Sequence, residues 1–362
     1  MIHEKACSQI TRGTMKQIPC VTVIIPMFNE ERYIAQCLES VLANDYPKDL
    51  LEILVVDGGS TDRSRDIVVE YLQRYSFIHL LDNPKRIMSS ALNIGIRNAR
   101  GEIIVRMDAH ALPDPRYISR CIEILRAGIA DIVGGRWIIE PGAPTVVAEA
   151  IALAVSHPFG AGDAVYRYGG AAGYVDTVPF GAFHKGLVFR VGLYDESLFV
   201  NEDYEFNYRV RRAGGRVFFS PDIISRYYAR STLRALARQY YRYGWWKVRM
   251  LRKYPAAVRW RQLVAPMFLL SLAAASGGAV IWPIFRIVLG MIFFAYTLAS
   301  LTTSVIINLR RGSWRTIVWL PVAFAIIHFS WAAGFLSSLI ALPFSRLKSQ
   351  IPKSDRHGIP AC

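Results

Sequence analysis

Three long segments near the C-terminus of this 362-residue chain contain no Asp, Glu, Lys or Arg: residues 262–282, 287–309 and 316–342. A helix rises about 1.5 Å per residue, so each segment is long enough to cross a hydrocarbon layer of about 30 Å. They predict a transmembrane region of about three helices within residues 262–344. The third segment contains Pro321 and Gly334, so it is also compatible with a kinked, partly re-entrant helix.

The formal net charge of +15 is concentrated in the second part of the chain. Residues 1–222 carry 24 Lys and Arg against 27 Asp and Glu, whereas residues 223–362 carry 19 Lys and Arg against Asp355 alone. Basic groups before residue 262 and between the second and third apolar segments indicate a cytoplasmic position for both. The sequence therefore predicts a multi-pass protein of the inner (cell) membrane with its catalytic domain in the cytoplasm. Three crossings would place the basic tail at 345–362 outside.

The part before residue 223 alternates short β-rich runs with helix-length amphipathic stretches. The runs that predict strands lie at residues 21–26, 51–57, 77–81, 102–108 and 130–135. The helical stretches lie near residues 30–43, 62–75, 86–99 and 115–127. This alternation predicts an α/β domain over 20–222, a mainly parallel sheet between helices, after a flexible tail at 1–19. Residues 157–181, rich in glycine and aromatic side chains, predict a long functional loop.

Loops rich in polar residues follow three of these strands, at the edge where parallel strands end. The candidate site residues in them are Pro26, Asn29 and Glu30 after the first strand, Asp57 after the second, and Asp108 and His110 after the fourth. Open parallel sheets bind ligands at this edge, and acidic loops there can hold a nucleotide and the divalent cation that bridges its phosphates. Asp57 is also compatible with a helix N-cap shared with Ser60, and His110 with an ordinary loop imidazole.

A further acidic group begins a predicted amphipathic helix over residues 204–213. Asn201, Glu202 and Asp203 stand directly before it. A carboxylate at a helix N-terminus is commonly a stabilising cap. Together with the acidic loops, Asp203 becomes the candidate general base.

Four stretches resemble the motifs of the inverting family-2 glycosyltransferases, which have the GT-A fold. In chain order they are VTVIIPMFNEERYIAQCLESVL, EILVVDGGSTD, ALNIGIRNARGEIIVRMDAH and NEDYEFNYRVRRAGG. The R-M-D-A-H motif and the downstream membrane segments look most like bacterial succinoglycan-type exopolysaccharide β-glucosyltransferases. The chain departs from the family at Gly58, where many relatives have Asp, and at His110, where a carboxylate is commoner.

The resemblance implies a role for each matching residue. The residues that would bind the nucleotide and the donor are Pro26, Asn29, Glu30, Asp57, Asp108 and Glu202. Asp57 would hydrogen-bond the base, while Asp108 and His110 would hold Mg²⁺ or Mn²⁺. Asp203 would be the catalytic base that activates the acceptor hydroxyl.

The segment 223–261 contains no acidic residue and predicts a helix at the membrane interface. Its arginines recur every four residues, which keeps them in a stripe along one helix: Arg226, Arg230, Arg234, Arg238 and Arg242. Tyrosine and tryptophan crowd the same segment, as is typical of an interfacial helix, although a solvated basic face would also carry such charges. Residues 239–243, Q-Y-Y-R-Y, resemble the Q-x-x-R-W motif of processive relatives, which implies that Arg242 meets a diphosphate.

The prediction is a membrane-anchored, metal-dependent inverting glycosyltransferase for exopolysaccharide or cell-surface polysaccharide synthesis. It would transfer glucose from UDP-glucose, a nucleotide-sugar donor, to a lipid-diphosphate-linked saccharide, and no nucleic acid is expected as a partner. Two alternatives stay open. A sugar-phosphate nucleotidyltransferase would need a glycine-rich basic loop where PMFNEE stands, and a non-catalytic membrane protein that binds nucleic acid or anionic lipid would leave Asp57, Asp108 and Asp203 without a role.

Overall fold

A computed structural model describes residues 18–342 of the chain. They divide into two compact units. The sheet unit contains residues 18–137 and 169–226, and the helical unit contains residues 138–168 and 227–342. Most of the predicted N-terminal tail and the whole predicted basic tail lie outside the described residues.

Four parallel strands form one half of the sheet. In spatial order they are β3 (Ile78–Asp82), β2 (Leu51–Asp57), β1 (Val21–Met27) and β4 (Ile103–Arg106). Every residue of β1 and β2 is buried, as expected of parallel strands that are covered on both faces. The predicted α/β domain is therefore confirmed.

The four predicted helices of this unit are present within one to four residues of the expected bounds. They are α1 (Ile34–Leu42), α2 (Ser64–Arg74), α3 (Met88–Asn98) and α4 (Tyr117–Arg126). Helix α1 shows why: its buried residues Ile34, Cys37, Leu38 and Val41 are spaced at three and four positions and so share one face.

Beyond β4 the sheet becomes mixed rather than parallel. The further strands are β5 (Ala111–Pro113), β6 (Ile132–Glu140), β7 (Gly173–Tyr174), β8 (Ala182–His184) and β9 (Val217–Tyr228). Strand β8 runs antiparallel to β4 and to β6. The sequence predicted only β6 among these. Strands β5, β7 and β8 have two or three residues and are too short to show a period, and the 12-residue β9 was also missed. Helices α8 (Leu187–Val191) and α9 (Glu202–Arg212) complete the unit.

The helical unit combines seven helices around an apolar core. They are α5 (Val146–Val155), α6 (Pro158–Ala161), α7 (Val165–Tyr168), α10 (Leu233–Lys253), α11 (Arg261–Ile281), α12 (Pro283–Arg311) and α13 (Trp319–Ala341). Residues 157–181 are therefore not one irregular loop, since α6, α7 and β7 interrupt them. A local cap explains why α6 begins at Pro158. Nδ1 of His157 accepts a hydrogen bond from the N–H of Phe159, and Pro158 occupies the first position of the helix.

Helices α11, α12 and α13 are each long and apolar enough to cross a membrane. They match the three segments that the sequence singled out. Pro321 is the third residue of α13, where a helix has no backbone hydrogen bond to lose, so the helix continues unbroken through it.

The predicted arginine stripe does not lie on one helix, and this part of the sequence prediction is wrong. Arg226 belongs to β9 and Arg230 to the connection that follows it. Helix α10 begins only after Thr232, whose side chain caps it by accepting a hydrogen bond from the N–H of Ala235. The regular spacing thus continues across the boundary between a strand and a helix, which a four-residue period alone cannot reveal.

Candidate active site

The loops after β1 and β2 are joined by hydrogen bonds at the carboxyl edge of the sheet. Asn29 has a positive φ of 54°, and its side-chain oxygen accepts a hydrogen bond of 2.8 Å from the N–H of Thr61. Its own N–H donates to Oγ of Ser60 at 2.9 Å. Pro26 lies near the end of β1, in register with Val56 of β2. The two loops therefore form one polar wall.

Asp57, the last residue of β2, is buried in this wall. Its Oδ1 accepts a 2.6 Å hydrogen bond from Oγ of Ser60, and its Oδ2 lies 3.0 Å from Nη1 of Arg65. Helix α2 begins at Ser64, with Arg63 in the capping position. Asp57 therefore closes the turn between residues 57 and 60 and does not cap that helix.

Arg86 reaches the same loop from the connection after β3, and the sequence analysis did not single it out. Its backbone φ is 56°, an uncommon value for arginine, and its N–H donates to the carbonyl of Asn83 at 3.1 Å. The N–H of Asn83 in turn donates to the carbonyl of Asp57 at 2.7 Å. A Cβ on Gly59 would lie 3.2 Å from Nη2 of Arg86, so the guanidinium covers that glycine. Uncommon backbone conformations of this kind often occur at ligand sites.

The end of β4 brings three more of the predicted residues together. Nδ1 of His110 lies 3.1 Å from Oε1 of Glu30, and its Nε2 lies 3.8 Å from Oδ2 of Asp108. All three side chains are buried. Within residues 18–342, Oε2 of Glu30 is buried without a hydrogen-bond partner. No group of three His, Cys, Asp or Glu side chains that could hold a metal ion is found in the same range.

Arg106, the last residue of β4, connects this edge to helix α9. Its guanidinium is 4% exposed and lies 2.9 Å from Asp108, 3.3 Å from Glu202 and 3.0 Å from Asp203. It also lies over the ring of Phe180, 5.1 Å from the ring centroid. One cation is therefore shared by three carboxylates.

The pKa values of this cluster follow from burial and charge. Burial disfavours the charged guanidinium, but the three carboxylates outweigh that effect and hold the pKa of Arg106 above its usual value. Burial raises the pKa of Asp203 to about 7. Arg106 opposes this rise, while Glu202 and Asp108 add to it through like-charge repulsion. Asp203 is thus a carboxyl group that exchanges its proton near neutrality.

The backbone before α9 directs its first turn toward the sheet edge. Asn201 has a left-handed conformation, with φ of 71°, and its side chain makes no capping hydrogen bond. Oδ2 of Asp203 lies instead against Arg106. The carboxylate therefore does more than cap a helix, although the helix N-terminus also favours its charge.

Arg106 was likewise not predicted as a site residue, although the sequence contains an indication of its role. An arginine in the last position of an otherwise apolar four-residue strand, I-I-V-R, is a buried charge that requires partners. Arg242, by contrast, was predicted to bind a diphosphate and belongs to the helical unit. It lies on α10, next to Tyr243, whose hydroxyl accepts a 3.0 Å hydrogen bond from Gln239.

Comparison with known proteins shows which proteins this chain is similar to. The family model described as glycosyl transferase family 2 matches residues 22–178, the part of the chain that contains the loops after β1, β2 and β4. A dolichyl N-acetyl-α-D-glucosaminyl phosphate 3-β-D-2,3-diacetamido-2,3-dideoxy-β-D-glucuronosyltransferase of Methanococcus voltae is 29% identical over 88% of this chain and 97% of its own length. The succinoglycan biosynthesis protein ExoA of Rhizobium meliloti is 28% identical over 88% of this chain and 94% of its own.

A solved structure supports the same fold. The mannosyltransferase of Pyrobaculum calidifontis, in complex with GDP-mannose and Mn²⁺, aligns with 90% of this chain and 92% of its own at a TM-score of 0.58 and 21% sequence identity. The sheet unit therefore has a GT-A-like α/β fold. Residues 22–178 therefore form a glycosyl transferase family 2 domain, and the two relatives align with the chain along nearly their whole length.

Proposed function

We propose that this glycosyltransferase is an inverting, metal-dependent hexosyltransferase with a lipid-linked saccharide as its acceptor. The observation that carries the proposal is the cluster in which Arg106 holds Asp203 beside Asp108. UDP-glucose is the proposed donor, and exopolysaccharide or other cell-surface polysaccharide synthesis is the proposed setting. The names of the relatives support the acceptor class, since one acts on a dolichyl-linked sugar phosphate and the other serves succinoglycan biosynthesis.

The donor nucleotide is proposed to bind along the wall formed by the loops after β1 and β2. Asn29 and Asp57 lie in this wall. Glu30, in the loop after β1, contacts His110, which follows β4. A buried carboxylate can accept a hydrogen bond from a base N–H, and Arg86 adds a cation at the same loop. The sugar and diphosphate would then extend toward Asp108 and Glu202.

Asp203 is proposed to act as the general base of a single displacement. As the acceptor hydroxyl oxygen bonds to the anomeric carbon, its proton passes to the Asp203 carboxylate. The bond from that carbon to the diphosphate oxygen breaks at the same time, and the nucleoside diphosphate departs with the electron pair. Attack from the face opposite the leaving group inverts the anomeric centre, so no covalent glycosyl-enzyme is required.

Asp108 and His110 are the residues proposed to hold Mg²⁺ or Mn²⁺. A carboxylate oxygen and an imidazole nitrogen suit such an ion, and Oε2 of Glu30 is a buried acceptor beside them. The protein supplies few ligands there, so the donor phosphates would have to complete the set. When bound, the ion would offset the negative charge that develops on the departing diphosphate.

Arg242 is proposed to receive the acceptor's diphosphate. A guanidinium binds phosphate oxygens through paired N–H donors, and α10 contributes seven Lys and Arg side chains without an acidic residue. The protein is proposed to act at the cytoplasmic face of the cell membrane, with the spans of the helical unit as its anchor. The family match favours a glycosyltransferase over a nucleotidyltransferase or a non-catalytic membrane protein.

Replacing Asp203 with Asn should reduce transfer about 10³-fold and leave donor affinity within about twofold, because only proton removal is lost. Turnover of UDP-glucose and calorimetric binding of UDP measure the two effects. Asp222→Asn, at an exposed position of β9, is the matched control and should behave like wild type. A loss of UDP affinity as large as the loss of rate would contradict the role of base.

The pH dependence of kcat/KM should show an acidic limb near pH 7. Asp203 accepts a proton only as a carboxylate, and its pKa is raised to about 7, so the rate should fall about tenfold per pH unit well below that value. Above about pH 8 the rate should level off. UDP binding over the same range serves as the control. A rate that stays constant from pH 5 to 8 would contradict the assignment.

Removing divalent cations with a chelator should abolish transfer, and added Mn²⁺ should restore it. His110→Ala should raise the Mn²⁺ concentration for half-maximal rate about tenfold, because one proposed ligand is lost. Paramagnetic resonance of Mn²⁺ in the presence of UDP measures the same affinity without catalysis. Full activity in excess chelator would rule out the metal.

Replacing Arg106 with Lys should lower kcat about 100-fold with little change in the KM for the donor, because a single ammonium cannot hold all three carboxylates in place. Arg209→Lys is the control, since Arg209 pairs with Glu205 on the same helix without touching Asp203. In an Asp203→Asn background, Arg106→Lys should add little further loss. Equal kcat effects of the two lysine variants would show that Arg106 is only structural.

A further inference from the structure

Helix α10 lies side by side with α13, in backbone contact. A Cβ on Gly244 of α10 would overlap the carbonyl oxygen of Trp331, and a Cβ on Gly334 of α13 would overlap the carbonyl oxygen of Tyr241. Toward the beginnings of both helices, Leu236 belongs to the same apolar cluster as residues of α13. The cluster residues contributed by α13 are Leu320, Ala323, Phe324 and Ile327. The two helices therefore run together over much of their length.

The composition of α10 is incompatible with the hydrocarbon core of a membrane. The helix carries seven cations within 21 residues and no acidic residue: Arg234, Arg238, Arg242, Lys247, Arg249, Arg252 and Lys253. Charged side chains at the centre of a bilayer are costly, and a helix of this composition belongs at an anionic surface. If α13 crossed the bilayer, α10 would have to enter the bilayer with it.

Contacts of α13 with the other two apolar helices point the same way. Helices α11 and α12 form a hairpin whose connection is the single residue Trp282. Oγ of Ser304 donates to the carbonyl of Ile317 at 2.8 Å, and Nε1 of Trp331 donates to the carbonyl of Gln262 at 3.4 Å. Ser304 and Gln262 are 22 and 20 residues from Trp282, so they lie at about the same distance from the turn, roughly 30 Å at 1.5 Å per residue.

Ile317 and Trp331 therefore meet the two open ends of the hairpin at the same level, although they are 14 residues apart. A third span packed alongside the hairpin would change level by about 20 Å over that length. Between these contacts, Nδ1 of His328 lies 2.9 Å from the hydroxyl of Tyr296, which is 14 residues from Trp282 and so about 10 Å nearer the turn; α13 dips into the space between the two helices without following either. Helix α13 thus passes across the open end of the hairpin.

The segment between β6 and β7 reaches the same two ends. Glu149 of α5 pairs with Arg311 at 2.9 Å, and Asp163 pairs with Arg261. These acids come from a part of the chain that precedes all three apolar helices, and they meet the last residue of α12 and the first residue of α11. The open end of the hairpin is therefore the polar end, where ion pairs are formed.

We propose that only the α11–α12 hairpin crosses the bilayer, and that α10 and α13 lie together as one layer at its open end, against the anionic face of the membrane. In this layer α13 supplies the apolar side, and the exposed cations of α10, Arg234, Arg238, Arg252 and Lys253, meet lipid phosphates. The arrangement stands apart from the proposed catalytic function. It also brings every Lys and Arg except Arg286, which lies near the hairpin turn, to one side, since two crossings return the chain to the side from which it started.

Single-cysteine labelling with a membrane-impermeant maleimide tests the crossing number. Cys37 and Cys121 are fully buried, and burial raises the pKa of both thiols, so they can stay. Cys7 and Cys20 are replaced by Ser, and Cys362 is kept or replaced as each probe requires. The probes are Trp282→Cys at the hairpin turn, Trp314→Cys between α12 and α13, and the native Cys362, which lies outside the described residues.

Trp314→Cys and Cys362 should be labelled from the same side, and Trp282→Cys from the opposite side, in intact cells compared with inverted membrane vesicles. Labelling of Trp314→Cys and Cys362 from opposite sides would show that α13 crosses, and would overturn the proposal. Reporter fusions after residues 314 and 362, with alkaline phosphatase and with green fluorescent protein, give a second measurement without any core substitution. Both fusion points should give the same reporter active, and different active reporters would again refute the proposal.

Discussion

The contact of one buried arginine with three carboxylates decides the shape and the chemistry of the site. Arg106 ends β4, Asp108 follows two residues later, and Glu202 and Asp203 begin α9. Removing one partner from a buried ion pair typically costs about 3 to 5 kcal/mol, because the remaining charge has no solvent to stabilise it. The guanidinium therefore ties the start of α9 to the end of β4, and it does so through the side chains that are proposed to react.

The charges in that cluster do not cancel, and the excess has a chemical consequence. One guanidinium faces three carboxyl groups in a place that water barely reaches, so one of them retains its proton more readily than an exposed acid would. That group is Asp203, whose pKa is raised to about 7. A general base is most useful when its pKa lies near the working pH. Arg106 thus holds Asp203 in position, while burial and the neighbouring carboxylates of Glu202 and Asp108 raise its proton affinity.

In the helical unit the corresponding constraint is steric. Gly244 and Gly334 let the backbones of α10 and α13 approach more closely than any other residue would allow. The apolar face of α10 is thereby buried, including Tyr240 and Trp246, and Lys247 is buried with it, while Arg234, Arg238, Arg252 and Lys253 stay exposed. The sequence predicts α10 as an isolated interfacial helix, but in the structure it is packed against α13. By length and composition alone, α13 would be placed across a membrane.

The sequence by itself determined the elements whose signal is local and repeated. Strands β1 and β2, helices α1 to α4 and the three apolar helices were all predictable, because a run of buried residues or a helical period needs no knowledge of distant segments. The acids Asp57, Asp108 and Asp203 also stood out, since each follows a strand or begins a helix. Only the tertiary structure decided that the arginine stripe begins in strand β9 and continues into α10, and that β8 pairs with β4 and β6. It also decided that Arg106 contacts Glu202, 96 residues away. The physical reason is that the partner of a buried charge, or of a three-residue strand, is set by the packing of segments far apart in the chain, which no local pattern encodes.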